Sequence, residues 1–201
     1  MQVRKLHLAL LAAALALVVV IGVVAWQLVP RPGGGSGEAL VGGPFTLVDQ
    51  SGQEVTEADF QGRFMLVYFG YTFCPDVCPM SLSTMVQALD LLDSGEARQV
   101  VPVMITVDPE RDTVAQLAEY APLFGPELVA LTGSPEQVDA AAKAYRVYYD
   151  KVEEDDADAY LMDHSAFIYL MGPDGRYRRH FAASASAEEL AQGLREELAE
   201  G

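Results

Sequence analysis

FMLVYFGYTFCPDVCP, from Phe64 to Pro79, joins a short apolar run to the only two cysteines of the chain, Cys74 and Cys78. The run Phe64–Phe69 has the length and composition of a buried strand. A helix is predicted from about Pro79 to Leu92, because its apolar residues recur at helical spacing. The cysteines therefore lie between a buried strand and a helix. This is where thioredoxin-like folds place reactive thiols.

The prolines that follow the two cysteines constrain their backbone. Proline disfavours the α region for the residue before it, so neither cysteine is expected inside a regular helix. Cys74 is assigned to a tight loop, and Cys78 is expected to cap the helix that Pro79 opens. A helix amino terminus stabilises a thiolate, and two neighbouring thiolates repel each other unless a cation or a proton intervenes.

Three interpretations of the cysteine pair remain open at this point. A structural disulfide is allowed in an oxidising compartment, but it would close only a tiny loop and stabilise little. A thiol–disulfide exchanger usually carries C-x-x-C, and this spacing has one extra residue. A soft-metal site is the third interpretation, since thiolates select copper(I) or zinc over magnesium or calcium.

The rest of the chain alternates strands with helices. Residues 172–175, reading GPDG, predict a hairpin turn, and the acidic residues at 153–158 predict a loop. The remaining elements are strands at Phe45–Val48, Val100–Val107, Leu128–Leu131, Ser165–Met171 and Arg176–Phe181, an extended Arg146–Val152, and helices at Thr113–Tyr120 and after caps at Ser134 and Ser186. The order predicts an α/β, thioredoxin-like fold with a central mixed sheet flanked by helices.

The amino-terminal residues predict a membrane anchor. Residues 6–29 contain no charged side chain unless His7 is protonated, and about 20 apolar residues suffice to span a bilayer. Arg4 and Lys5 favour the cytoplasm for the short end. We expect an anchor at residues 1–29, a flexible Gly/Pro-rich linker at 30–42 and a folded domain at 43–201, on the periplasmic side of a bacterial cytoplasmic membrane. A cleaved signal peptide is the competing interpretation.

The charge balance excludes one class of partner. The chain has 13 Lys and Arg against 29 Asp and Glu, for a formal net charge of -16. Such a surface repels phosphate backbones, so we expect no nucleic-acid partner.

A third ligand for a metal would have to come from elsewhere in the fold, and the chain has three histidines. His7 lies in the predicted anchor, and His180 lies in an Arg-rich strand that is expected to face solvent. His164 follows Asp163 at the head of the apolar strand Ser165–Met171. By itself it is as consistent with a surface histidine as with a ligand.

Three blocks together resemble one known family. YTFCPDVCP at 71–79, VDPERDT at 107–113 and DHS at 163–165 are similar to the signature blocks of the Sco/SenC family. The resemblance implies a thioredoxin-like protein that binds one copper ion (Cu⁺ or Cu²⁺) through Cys74, Cys78 and His164. It implies a metallochaperone, without turnover of a small substrate, that assists assembly of the copper A centre in subunit II of cytochrome c oxidase.

The resemblance is compatible with two biochemical activities. Members are thought to deliver copper, to reduce the cysteines of the oxidase subunit, or both. A membrane-tethered thiol–disulfide oxidoreductase is therefore the alternative, and periplasmic copper chaperones or thioredoxin-like reductases are further expected partners. Residues with lesser candidate roles are Met80, Met85 and Met162 as thioether ligands, Asp76 beside the metal, Asp163 orienting His164, Asp112 as a helix N-cap, and Tyr71 and Phe73 as walls of the site.

Overall fold

The apolar run Phe64–Phe69 lies inside a mixed sheet in the computed structural model, which describes residues 41–153 and 160–200. The strands are β1 Thr46–Asp49, β2 Glu54–Thr56, β3 Phe64–Gly70, β4 Val100–Thr106, β5 Val129–Thr132, β6 Tyr149–Glu153, β7 Tyr160–His164, β8 Phe167–Met171 and β9 Tyr177–Ala182. The helices are α1 Val77–Asp90, α2 Ser94–Ala97, α3 Val114–Tyr120, α4 Pro135–Ala144 and α5 Ala187–Glu200, with 3₁₀ turns at Glu57–Phe60 and Ala121–Phe124.

The main sheet has the order β2-β1-β5-β4-β3-β8-β9. Strands β3, β4 and β5 run parallel, whereas β8 and β9 continue the sheet antiparallel on one side and β1 and β2 on the other. Every residue of β3 and β4 is buried, which explains their uninterrupted apolar sequences. The predicted α/β fold with a central mixed sheet is confirmed.

The start of α1 differs from the prediction. The helix begins at Val77, so Cys78 and Pro79 are its second and third residues and Cys78 lies inside the first turn. Amide groups of a first turn have no acceptor within the helix, so Pro79 sacrifices no hydrogen bond there. The expectation that Cys78 lies outside a regular helix was wrong, whereas Cys74 does lie in the preceding loop.

The segment before Ser165 also differs from the prediction. Tyr160–His164 forms β7, which pairs with β6 in a separate antiparallel two-stranded sheet. His164 is thus the last residue of β7, opposite Tyr149, and not the first residue of the next strand. Met162 is the one fully buried residue of β7, so the sequence lacks the alternation that would reveal a strand.

The predicted helix caps are confirmed with one exception. Ser134 and Ser186 each accept a hydrogen bond from the residue three positions later and complete a capping box. Thr113, not Asp112, caps α3 by accepting from the Gln116 amide. Asp112 turns inward instead, because its carboxylate has three donors in the core.

The described ranges belong to one compact unit, Leu40–Gly201. No helix within these ranges combines the length and apolar character that crossing a bilayer requires. The predicted anchor at 1–29, most of the predicted linker and most of the acidic loop lie outside the described residues.

Candidate metal centre

The buried carboxylate of Asp112 accepts hydrogen bonds from the loop that carries Cys74. Asp112 accepts hydrogen bonds from the amide of Thr72 at 3.0 Å, from the Thr72 hydroxyl at 2.6 Å and from the Thr106 hydroxyl at 2.6 Å. Burial raises the pKa of Asp112, while the hydroxyls of Thr106 and Thr72 stabilise its ionised form. These bonds join the loop to the end of β4.

The two cysteines form no disulfide, and their side chains are hydrogen-bonded to each other. The Cys78 amide donates to Sγ of Cys74 at 3.3 Å, and Cys78 is fully buried. A hydrogen bond from the Cys78 thiol lowers the pKa of Cys74 to about 4, with further help from His164 and from loop amides. The same bond and burial raise the pKa of Cys78. At neutral pH the pair therefore consists of a Cys74 thiolate and a Cys78 thiol.

Two tight neighbours surround the Cys78 sulfur. The Tyr68 hydroxyl donates to Sγ of Cys78 at 3.7 Å, and burial raises the pKa of Tyr68, so this phenol remains a donor. A Cβ at Gly70 would lie 2.7 Å from the Tyr68 ring and 3.1 Å from the Cys78 sulfur. Packing therefore requires glycine at position 70. Sequence analysis assigned no role to Tyr68 or Gly70, because a tyrosine within a strand and a glycine at its end form no distinctive pattern.

His164 meets the cysteines from the β6–β7 sheet. Its Nε2 lies 3.5 Å from Sγ of Cys78, and its Nδ1 lies 3.3 Å from the Ser165 carbonyl. Its ring packs edge-on against Tyr68 and Tyr71, with 6.0 Å between ring centroids in each case. With a proton on Nε2 the ring donates to a cysteine sulfur, whereas a proton on Nδ1, donated to the Ser165 carbonyl, would free the Nε2 lone pair for a metal ion. The Ser165 carbonyl thus takes the orienting role considered for Asp163, which is exposed.

The donor atoms fit a soft metal ion. Ligand atoms bound at about 2.0–2.3 Å to one ion lie roughly 3.5–4 Å apart, and the contact between Cys78 and His164 has this spacing. Two sulfurs and one imidazole suit copper(I) or zinc, and closed structural zinc sites usually take four protein ligands. Within residues 41–153 and 160–200, no group of three or more His, Cys, Asp or Glu side chains forms a ready-made metal cage. The three donors are gathered by pairwise contacts, and binding has to draw them together.

The lesser candidates separate into three groups. Met85 and Met162 are buried in the core, whereas Met80 is exposed. Asp76 is the exposed N-cap residue of α1 and makes no side-chain cap bond. Tyr71 does wall the site, because its ring contacts His164.

His180, the other histidine among the described residues, lies apart from this cluster. His180 is exposed on β9, where its Nδ1 lies 2.5 Å from the Tyr177 hydroxyl and its ring contacts Phe167 and Tyr169. His7 lies outside the described residues.

One further residue near the site escaped the sequence analysis. Arg111, in the block at 107–113, pairs with Asp108, and its guanidinium lies over the rings of Tyr71, Phe73 and Tyr160. A single base among acids in VDPERDT was the available signal, and it was interpreted only as part of a turn.

Known proteins share this fold and much of this sequence. The sequence profile of the SCO1/SenC family matches residues 33–199. Protein SCO1 homolog 1, mitochondrial, of Arabidopsis thaliana is 44% identical over 168 residues, which are 84% of this chain and 50% of that protein. The chain spans about half the length of this protein and of the human SCO1 homolog, mitochondrial.

Solved structures agree with the sequence comparison. Arabidopsis thaliana ScoI with copper bound has a TM-score of 0.76 at 43% identity, covering 80% of this chain and 99% of that one. BsSco, described as a member of the Sco family of cytochrome c oxidase assembly proteins with a disulfide switch, has a TM-score of 0.59 at 25% identity, covering 78% and 92%. With its mixed sheet, its paired thiols and a profile match over most of its length, this chain belongs to the SCO1/SenC family.

Proposed function

We propose that this chain is a copper carrier that binds one copper ion through Cys74, Cys78 and His164 and passes it to subunit II of cytochrome c oxidase. One observation carries the proposal. The Cys78 sulfur lies 3.5 Å from Nε2 of His164, although the two residues are 86 positions apart, and the Cys74 sulfur accepts the Cys78 amide. Three soft or borderline donors thus converge from two separate elements.

Relatives support both the metal and the partner. The similar Arabidopsis structure is described with copper bound, and BsSco is described as belonging to a family of cytochrome c oxidase assembly proteins. Copper is then the cargo of the chain, and the copper A centre of the oxidase is its destination.

The arrangement of donors suits transfer. Cys74 already carries a negative charge, and binding a cation displaces the shared proton from Cys78, because a thiolate is the form that ligates metal. Both sulfurs are attached to the core, whereas His164 comes from the separate two-stranded sheet. His164 can withdraw while both sulfurs stay bound, so a ligand of the acceptor can enter in its place.

A membrane tether would place the carrier beside its acceptor. We include in the proposal an anchor at residues 1–29 that spans the cytoplasmic membrane once, followed by a linker at 30–42. The folded domain would then face the periplasm, where the copper A centre is assembled and where other copper chaperones or thioredoxin-like reductases act. Fractionating cells and digesting intact spheroplasts with protease tests this part separately.

Copper titration of the reduced full-length protein tests the ligand set. We expect one copper per chain, with affinity reduced more than about 100-fold by Cys74→Ser or Cys78→Ser, since even residues that only support ligands are worth 10–100-fold. His164→Ala should weaken binding, and His180→Ala is the matched control because that histidine lies on β9. Equal affinities for His164→Ala and His180→Ala would remove His164 from the site.

A thiol–disulfide oxidoreductase is the second candidate, and the asymmetry of the thiols favours it. Cys74 has a pKa of about 4 and is the less buried of the two, as expected for an attacking nucleophile. Its thiolate would attack a partner disulfide and expel one partner thiolate. Cys78 would then attack the Cys74 sulfur, leaving a Cys74–Cys78 disulfide and a partner reduced by two electrons.

The two functions differ in their need for His164. Reduction of a subunit II disulfide should survive His164→Ala, because no step of the exchange uses the imidazole. Copper delivery to reduced subunit II should not survive unchanged. Disulfide reduction by a protein that binds copper only weakly, with no effect of His164→Ala on that binding, would favour the second function.

A further inference from the structure

We propose that Arg111 is a positioning residue that fastens the β6–β7 sheet, and with it His164, against the loop that carries Cys74. We call this loop the cysteine loop. We name the side chains of Arg111, Asp108, Tyr160, Tyr71 and Phe73 the arginine clamp. The inference deepens the proposed function and rests on it where copper is concerned.

The clamp first joins Arg111 to the β6–β7 sheet. Nη1 of Arg111 donates to the Tyr160 carbonyl at 3.0 Å, and the guanidinium carbon lies 3.6 Å from the centre of the Tyr160 ring. Tyr160 is the first residue of β7, and His164 is the last. One arginine therefore contacts both the backbone and the ring of the strand that carries the imidazole.

The clamp also reaches the cysteine loop. The guanidinium carbon lies 4.8 Å from the centre of the Phe73 ring and 5.7 Å from that of Tyr71. Phe73 directly precedes Cys74, and the Tyr71 ring packs against His164. The same cation thus attracts rings from both sides of the site.

Asp108 holds the guanidinium in place. Its carboxylate is completely buried and pairs with Nε of Arg111, and it also accepts the Tyr160 hydroxyl at 2.8 Å. Within the described part of the chain, Nη2 of Arg111 is buried without a hydrogen-bond partner, and the guanidinium carbon lies within 3.6–5.7 Å of three ring centres. A buried acid, a planar cation and three rings form a unit that a lysine cannot reproduce.

Apart from the His164 ring, which packs against Tyr68 and Tyr71, and Tyr149, which packs against the core, the sheet has few other attachments. Four of the five residues of β6 are exposed, and among the described strands it pairs with β7 alone. Met162 is buried, and its amide hydrogen-bonds the Tyr71 phenol. Lys151 adds an exposed ion pair with Glu110 at 2.6 Å. The arginine clamp is the most extensive of these connections, so it should govern how often His164 departs from the cysteines.

Amide hydrogen exchange on the reduced, metal-free full-length protein tests this without copper. Arg111→Gln should speed exchange of the β6–β7 amides by roughly tenfold while the β3 and β4 amides stay unchanged, because local opening depends on the contacts that close it. Arg178→Gln, which breaks an ion pair with Asp174 on a distant hairpin, is the matched control. Exchange in β6–β7 within twofold of wild type would overturn the proposal.

A second variant guards against general unfolding. Arg111→Lys keeps a cation beside the buried Asp108 but cannot also bond the Tyr160 carbonyl with a planar fork. We expect the β6–β7 amides of this variant to exchange faster than those of wild type, with the main sheet fully protected. Wild-type protection throughout would overturn the proposal even if Arg111→Gln fails to fold.

Copper release to a small chelator tests the consequence for the cargo. Arg111→Lys should release copper several-fold faster than wild type, toward the rate of His164→Ala, and Arg178→Gln should match wild type. A wild-type rate for Arg111→Lys beside a faster His164→Ala would overturn the positioning role. If His164→Ala itself releases copper at the wild-type rate, the proposed ligand set fails instead, and the metal-free exchange still decides on the clamp.

Discussion

The cysteine loop and the β6–β7 sheet meet at one site but differ in how firmly burial and hydrogen bonds attach them to the core. The loop follows an entirely buried strand, is held by Asp112 and leads directly into the first turn of α1, where Cys78 has zero exposure. The sheet has two strands, half of their residues are exposed, and a few side chains attach it to the core. A carrier has to hold its cargo and still let it go, and the two regions divide these tasks between them.

The largest expected effect tests whether the cysteine loop is preorganised by itself. Iodoacetamide should modify Cys74 at a nearly constant rate between pH 6 and 8, because a pKa of about 4 keeps its thiolate fully formed. An ordinary thiol with a pKa near 8.5 gains roughly 75-fold in thiolate over the same range. Mass spectrometry of the alkylated peptides measures this, and Cys78 should stay unmodified.

The same measurement on His164→Ala sharpens the comparison. The flat profile should persist, because the largest cause of the low Cys74 pKa is the hydrogen bond from Cys78 and not the imidazole. Protein unfolded in denaturant is the control, and there both thiols should regain the steep ordinary profile. A steep profile in folded His164→Ala would mean that the loop depends on the sheet.

The next largest effect is expected when the hydrogen bonds between the loop and Asp112 are removed. Asp112→Ala should lower the free energy of unfolding by about 2–4 kcal/mol, because it leaves the amide and hydroxyl of half-buried Thr72 and the hydroxyl of buried Thr106 without their acceptor. Asp139→Ala, which removes only an exposed ion pair with Lys143, should cost less than about 0.5 kcal/mol. Urea unfolding measures both, and equal losses would contradict the structural role of Asp112.

A smaller effect probes the packing around the inner sulfur. Gly70→Ala should cost about 1–3 kcal/mol, because the new methyl group would press on the Tyr68 ring and on Cys78. Gly43→Ala is the matched control, since its new methyl group meets only the Ala144 methyl group at an ordinary 3.4 Å. If urea unfolding finds both variants equally stable, the region around Cys78 is looser than its contacts indicate.

The smallest effect concerns the outside of the β6–β7 sheet. Lys151→Met removes an exposed ion pair with Glu110 and a cation 4.8 Å from the Tyr160 ring. We expect the β6–β7 amides to lose less than about 1 kcal/mol of protection, and less still at high salt, which screens exposed pairs. Amide exchange at two salt concentrations measures this. A loss as large as that from Arg111→Gln would place the main attachment at Lys151.

Much of the fold could be predicted because its signals are local. Strands β3 and β4 are continuous apolar runs, the caps at Ser134 and Ser186 follow a short pattern, and GPDG marks a hairpin. The cysteine pair was predicted as a reactive site for the same reason, since its strand, thiols and helix are adjacent in the chain. The start of α1 was misplaced, because the rule for residues before proline is weaker than the freedom of a first helical turn.

The sequence alone determined the class of fold, the nucleophilic loop and, through its resemblance to a known family, the candidacy of His164. Only the tertiary structure decided that His164 ends a strand of a separate sheet, that Asp112 supports the loop and that Arg111 joins the two sides. Hydrogen bonds and cation–π contacts between residues tens of positions apart depend on how the chain returns to the same place. Local sequence patterns do not predict such contacts, because they depend on the packing of the whole domain.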